Sequence, residues 1–474
     1  MPLERVSTVA ALNSLIPTPS ERQALAHFVS NFDFRKSEEG IKLVRYVGTG
    51  SGILFLPAGF FGSKICSLGP RSLAEHEELL ELFVPEGVTT IEDEAFADCK
   101  NLERVHLPNT LATLGRGVFK GCTSLREVRL PSSVEQLGAQ LFEGCRKFRR
   151  FAWPEHLRQI PARAFANCEL LNQLELPDSL QSIGEEAFTG CQELSALHFP
   201  RQLVELGPRA FAACAILKEA SLPPHLVRIG EEAFKDCAQL ERVGIGASLE
   251  EMGERAFQGC ARLKEIFLPA SLRRMGAQAF EGCRSLQMAD LAQTRLEAVE
   301  RESFAGCQSL RRLLLPLRSL QRLGVEALRG CSSLSYLTLP ATVTALGEGL
   351  LENCSNLRRL DLSQVETDLP ERLARYCTSL QELILGPKIK AIGEQAFYGC
   401  RSLEEVNLPS QLRSLGERAF QSCSHLSRVY CPSSLVFWGR NGQMGPIFDS
   451  QNPNLVLYGR LKSSAARYAQ RYRL

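Results

Sequence analysis

The chain has 474 residues, 44% hydrophobic and 23% charged, with 55 Lys and Arg against 53 Asp and Glu, a formal net charge of +2. A chain so balanced has no overall basic field to draw it onto nucleic acid or an acidic membrane. It also lacks the run of about 18 apolar residues that a membrane-spanning helix needs.

The first residues, MPLERVSTVAALNSLIPTPS, have neither a basic head nor a continuous apolar core. They therefore read as an unprocessed start rather than an export signal, and a cytoplasmic location is expected. For Met1 to Pro17 disorder is expected. Residues 18–32 predict a helix, with Thr18 or Ser20 as cap and Pro19 in an early position, placed to cover an open first turn. GIKLVRYVGTGSGILFLP (40–57) predicts opening strands. An irregular first repeat then runs through Ile65, Leu68, Gly69, Leu73, Leu79, Leu82 and Pro85, with His76 where later repeats carry cysteine.

From there a unit recurs. Cysteines stand at 99, 122, 145, 168, 191, 214, 237, 260 and 283, then at 307 and 331, then at 354, 377, 400 and 423. The steps are 23 residues except for two of 24, so 15 cysteines share one register. Their companions repeat with them as LxxVxLPxxLxxIGxxAFxxC. In LxxVxLP, Val105 and Leu107 point one way while Arg104 and His106 point the other, which predicts a short half-buried strand. Pro108 closes it, because proline cannot donate to a ladder. LxxIG predicts a second extended stretch, with Gly115 allowing a sharp bend. AFxxC is too short for an α-helix, and a single helical or 3₁₀ turn is expected. One unit cannot bury its own leucines, but stacked units can, their strands pairing in parallel about 4.8 Å apart.

After Cys423 the pattern decays through RNGQMGP. NPNLVLYG predicts a last strand and SSAARYAQRY a closing helix. Four segments are expected: an N-terminal segment with capping helix (1–40), opening strands and an irregular first repeat (41–85), the repeat array (86–431), and an irregular last repeat with its cap (432–474).

VPEGVTTIEDEAFADCKNLERVHLP (84–108) and IKAIGEQAFYGCRSLEEVNLP (389–409) closely resemble the BspA-type leucine-rich repeat, and LYGRLKSSAARYAQRY is similar to a terminal cap of that family. The resemblance spans roughly residues 41–474. It implies an α/β repeat solenoid, a right-handed leucine-rich-repeat superhelix with a parallel β-sheet face, short opposite strands and short helical turns. Members are mostly bacterial or protist, and many are surface-exposed proteins implicated in adhesion.

The groups that could carry chemistry all have bland readings. There is no CxxC pair of the kind a zinc site uses, so the cysteines read as a buried thiol column. The seven histidines are scattered, and none pairs with another at helical spacing. Glu185–Glu186 and Glu231–Glu232 follow the repeat glycine and read as a solvated turn. GTGSG (48–52) precedes no predicted helix, so it lacks the context of a phosphate loop. No catalytic residue, metal or cofactor is expected.

What varies is the pair of columns flanking the inward valine. Phe267, Met288, Arg312, Leu314, Tyr336, Arg359 and Ile384 are of the types enriched at protein interfaces, and they form the expected partner-binding patch. The expected function is a non-catalytic scaffold, monomeric, binding a protein partner rather than nucleic acid, with no membrane insertion. The alternative is a surface adhesin or glycan-binding protein.

Overall fold

Around each inward valine the chain forms a strand of about three residues with its middle side chain buried and its flanks outward, as in Arg104–His106 and Glu265–Phe267. Around most of the IG positions the chain forms a two-residue strand with the isoleucine or its equivalent buried, as in Thr113–Leu114 and Arg274–Met275. The computed structural model describes residues 30–36, 40–48, 52–60, 63–172, 174–439, 445–449 and 452–472. They fall into two compact units, Met1–Leu217 and Lys218–Leu474.

In the first unit Ile53–Phe55, Glu81–Phe83, Arg104–His106 and Glu127–Val128 pair in parallel as a front sheet. The IG strands form a second, back layer, in which Ser63–Leu68, Thr90–Ile91 and Thr113–Leu114 are parallel neighbours. In the second unit Glu219–Ser221, Arg242–Gly244, Glu265–Phe267, Met288–Asp290 and Arg312–Leu314 make one front sheet. Tyr336–Thr338, Arg359–Leu362 and Glu382–Leu385 make the next, and Glu405–Asn407, Arg428–Tyr430 and Val456–Tyr458 the last. Each unit is a β-solenoid of stacked parallel strands with almost no helix.

The expected helical turns are not helices. Residues 93–98 form a string of hydrogen-bonded turns with Glu94 and Asp98 at φ +55° and +60°, values no right-handed helix holds. The amides alternate. Ala95, Ala97 and Cys99 donate back to Glu92, Glu94 and Phe96 within the turn, while Glu94, Phe96 and Asp98 donate forward to Arg116, Val118 and Lys120 of the next turn. Gln258 and Cys260 against Phe257 and Gly259 repeat this in the second unit. The second left-handed position is held by residues that tolerate it, such as Gly121, Asn167, Asp236 and Gly259. The first carries long charged side chains that meet across turns, as Glu186 does with Arg163 and Arg209.

The glycine after the back strand also has a different reason from the expected bend. A Cβ on Gly138 would lie 1.9 Å from the Gly115 carbonyl oxygen. Glycine is there because stacked backbones touch.

Two columns fill the space between the layers. Phe119, Phe142, Phe165 and Phe188 are fully buried and stack ring on ring 5.2–5.4 Å apart in the first unit. Phe234, Phe257, Phe280 and Phe304 do the same in the second. Leu328, Leu351 and Ala374 take the phenylalanine place further on and are buried too. Beside the rings run the cysteines, their thiols donating to carbonyls of the ring column one turn back, as Cys145 to Phe119 (3.1 Å) and Cys283 to Phe257 (3.3 Å). All 17 cysteines are free thiols. His76 takes the cysteine place in the first repeat, half-buried against Tyr46.

Cys66 is the one thiol that is not buried. A maleimide reagent should therefore add to Cys66 in the native protein and leave the ladder unmodified until denaturant is added. Mass spectrometry of the native adduct checks this; fast modification of Cys168 or Cys283 would show that the column opens readily.

At the N-terminal end the predicted helix over 18–32 lies outside the described residues except for 30–32. Phe32 already begins a strand, Phe32–Lys36, paired antiparallel with Ile41–Tyr46. The expectation for Met1–Pro17 lies wholly outside them. At the C-terminal end the expected elements are present as Val456–Tyr458 and the helix Ser464–Tyr472. Tyr468 of that helix stacks on Trp438 at 4.5 Å, and its hydroxyl accepts the Ile447 amide at 2.8 Å, closing the last turn.

Candidate interaction surface

The seven expected patch residues all stand on front strands of the second unit. Phe267 and Tyr336 are about half exposed (50% and 54%). Met288, Leu314 and Ile384 are half-buried. Pairing registers Phe267 with Asp290 and Asp290 with Leu314, and Met288 with Arg312. Phe267, Met288, Arg312 and Leu314 thus share one sheet, whereas Tyr336, Arg359 and Ile384 lie on the next, where Thr338, Asp361 and Ile384 are in register. The two arginines differ. Arg359 is held on its own surface by Glu382 (2.6 Å) and Asp361 (3.3 Å). Arg312 is exposed and makes no ion pair with the described residues.

A second cluster, not among the expected site residues, stands on the front of the first unit. Phe55, Phe83 and His106 occupy one column in register and stack face to face, with ring centroids 4.3 and 4.1 Å apart and interplanar angles of 12° and 6°. Phe55 is 61% exposed. Glu81 beside them accepts hydrogen bonds from Arg104 (3.0 Å) and pairs with His106 (2.8 Å). The Arg104 bond first, then His106, holds its carboxyl down at about 2. The next turns bring the exposed cations Arg129, Lys147, Arg149 and Arg150. The signal was in the sequence, since Phe83, His106 and Arg129 are spaced by the repeat length. Histidine weighed singly as a metal ligand hid its place in an aromatic column.

The turn side offers less. A shallow cavity of about 240 Å³ is lined by Gly282, Gly306, Gly330, Arg284, Arg329 and Asn353, with no nucleophile and base in contact. Among the described residues no group of three or more His, Cys, Asp or Glu side chains is placed to hold a metal ion. No helix among them is long and apolar enough to cross a membrane.

Solved structures similar to the chain include bacterial repeat proteins. A leucine-rich repeat protein from Bacteroides ovatus is 23% identical, with 87% of this chain and 90% of that one covered and a TM-score of 0.47. The pneumococcal vaccine antigen PcpA is 18% identical, over 67% of this chain and 92% of that one, with a TM-score of 0.42. A leucine-rich cell surface protein from Faecalibacterium prausnitzii is 19% identical, over 93% and 95%, with a TM-score of 0.33. No curated protein sequence matches the chain. The family model of the BspA-type leucine-rich repeat region matches residues 66–173, 158–287, 285–373 and 367–441, and with its repeats present across most of its length the chain belongs to the BspA-type leucine-rich repeat family.

Proposed function

We propose that the protein is a non-catalytic scaffold that holds a protein partner on its exposed front strands. The observation that carries this is the division of labour within the repeat. Buried columns are nearly invariant because each must fit the next turn, while the two outward columns vary freely and include exposed Phe267 and Tyr336. Proteins of this repeat family generally serve binding and adhesion, which supports the reading. The superhelix is read as right-handed, as the family implies. Seventeen free thiols support work in a reducing compartment, where such a column stays reduced.

The patch from Phe267 to Ile384 is the proposed centre of recognition in the second unit. A photo-crosslinking residue at Phe267 or Tyr336 should capture a discrete partner that one at Arg274, exposed on the back strand, does not capture. Charging the patch by Phe267→Asp, Leu314→Asp and Tyr336→Asp should weaken that complex at least about 100-fold, because desolvated apolar anchors dominate interface energetics. Capture from both faces alike, or affinity unchanged by the triple substitution, would refute this assignment.

A further inference from the structure

We infer a second binding site on the front of the first unit, one that takes an acidic protein segment also carrying apolar side chains. It rests on the reading that front strands bind protein, and adds a location and a partner chemistry. Several cations on or beside the front strands are matched by a carboxylate on the adjacent turn: Arg104 by Glu81, Arg126 by Glu103, Lys264 by Glu241, Arg428 by Glu405. Arg129, Lys147, Arg149 and Arg150 are exposed and have no such match among the described residues. They lie on two successive turns whose backbones strand spacing sets about 5 Å apart; Arg129 is bridged to Ala152 in parallel register, so Arg150 stands two residues along the neighbouring strand from it. Glu127, two residues before Arg129, and Glu175, on the turn after Arg150, are exposed carboxylates beside them; four cations less two leaves two positive charges. Unmatched cations this close repel one another, and an incoming anion relieves that repulsion. Three of the four are arginines, whose planar forks suit carboxylates.

The column that holds Arg129 continues as His106, Phe83 and Phe55. Its stacking leaves few ring faces on offer, with Phe55, 61% exposed, at the end of the column carrying a single ring partner among the described residues. The ring of Phe83 is covered on both faces, by Phe55 at 4.3 Å and by His106 at 4.1 Å, so it offers only its edge. Bases of single-stranded nucleic acid need open ring faces to stack upon. Sugar rings likewise sit on faces. An apolar side chain packs against edges equally well, which favours a polypeptide whose carboxylates reach the arginines while its aliphatic or aromatic residues cover Phe55 and Phe83.

Fluorescence anisotropy on the full chain tests this with three labelled probes: a peptide alternating Glu with Leu and Phe, a thymidine oligonucleotide, and a heparin fragment. The peptide should bind most tightly at low salt and weaken at least about 10-fold as salt rises to physiological strength and beyond. Arg129→Glu with Arg149→Glu and Arg150→Glu should weaken it by about 10-fold or more, whereas Arg273→Glu with Arg295→Glu, exposed arginines of the second unit outside the front strands, should not. Phe55→Ala with Phe83→Ala should weaken the peptide about 10-fold and leave heparin unchanged. Circular dichroism of each variant confirms its fold. Tighter binding of the oligonucleotide or heparin, no peptide binding at low salt, or indifference to the arginine reversal each overturns the inference. None of those results touches the crosslinking at Phe267 and Tyr336, so failure of this site and failure of the scaffold reading are distinguishable.

Discussion

Phe257→Ala is expected to lower stability by about 4 kcal/mol, the usual cost of removing a fully buried phenylalanine and leaving the cavity behind. Phe257 has no exposed surface, and its ring lies parallel between Phe234 at 5.3 Å and Phe280 at 5.5 Å. The hole cannot close, because the turns on either side are tied to one another by amides such as Phe257 to Ala279 at 2.8 Å. In a stacked array each turn touches only its neighbours, so the damage should stay local. Hydrogen exchange should show faster opening in residues about 234–304 and little change near Phe397 and Phe420. A loss below about 1 kcal/mol, or an effect spread evenly along the second unit, would show that the ring column is not what couples the turns.

The thiol column predicts steep alkaline unfolding. Burial first, and neighbouring thiols with it, holds Cys122, Cys145, Cys168, Cys260 and Cys307 well above the ordinary value of 9.0. Burial pushes Cys99 up to about 12. The unfolded chain releases these protons near pH 9, while the folded chain keeps them. Stability is therefore fully present below about pH 9 and is lost as pH rises towards the folded values. Each thiol that ionises only on unfolding subtracts about 1.4 kcal/mol per pH unit in that window. Many thiols act together, so urea midpoints should be flat from pH 6 to 8 and fall sharply by pH 10. Replacing Cys122, Cys145 and Cys168 with alanine lowers basal stability but should also flatten the slope, by about 1.4 kcal/mol per pH unit for each thiol removed from the unfolding unit. A slope unchanged by those substitutions would place the alkaline sensitivity elsewhere.

The repeat could be read from residues because its causes are periodic. Val105, Ile183 and Cys283 each sit where a neighbouring turn demands one size and polarity, and the same demand returns every turn. The front strands, the back strands and the closing helix at Ser464–Tyr472 followed from that. What escaped were features set by two left-handed residues per turn. Glu94 and Asp98 are not residues that announce positive φ, and only the pairing of Glu94 with Arg116 across turns makes the conformation worthwhile. The strand Phe32–Lys36 escaped because it lies outside the repeat and pairs antiparallel with Ile41–Tyr46. The outward columns showed Phe267 and Tyr336 as exposed candidates, but not that Arg359 is consumed by Glu382 and Asp361. Nor did they show that Phe55, Phe83 and His106 join into one stack. Such pairings depend on which side chains share a register, and outward positions carry no packing constraint to reveal it.

The alternation of amides in the turns has a consequence for how such a chain can change over generations. A turn receives hydrogen bonds on one side and gives them on the other through backbone atoms alone, the same atoms in every copy. Any copy can therefore follow any other, and duplicating or deleting a whole unit creates no junction that has to be invented. Lengthening by less than a unit is different, because it would shift donors away from acceptors. Where single residues have been added, the thiol bonds of Cys307 and Cys331 still reach Phe280 and Phe304, now 27 positions back. The extra residue has been absorbed elsewhere in the unit, leaving the repeated contacts intact and the outward side chains free to diverge.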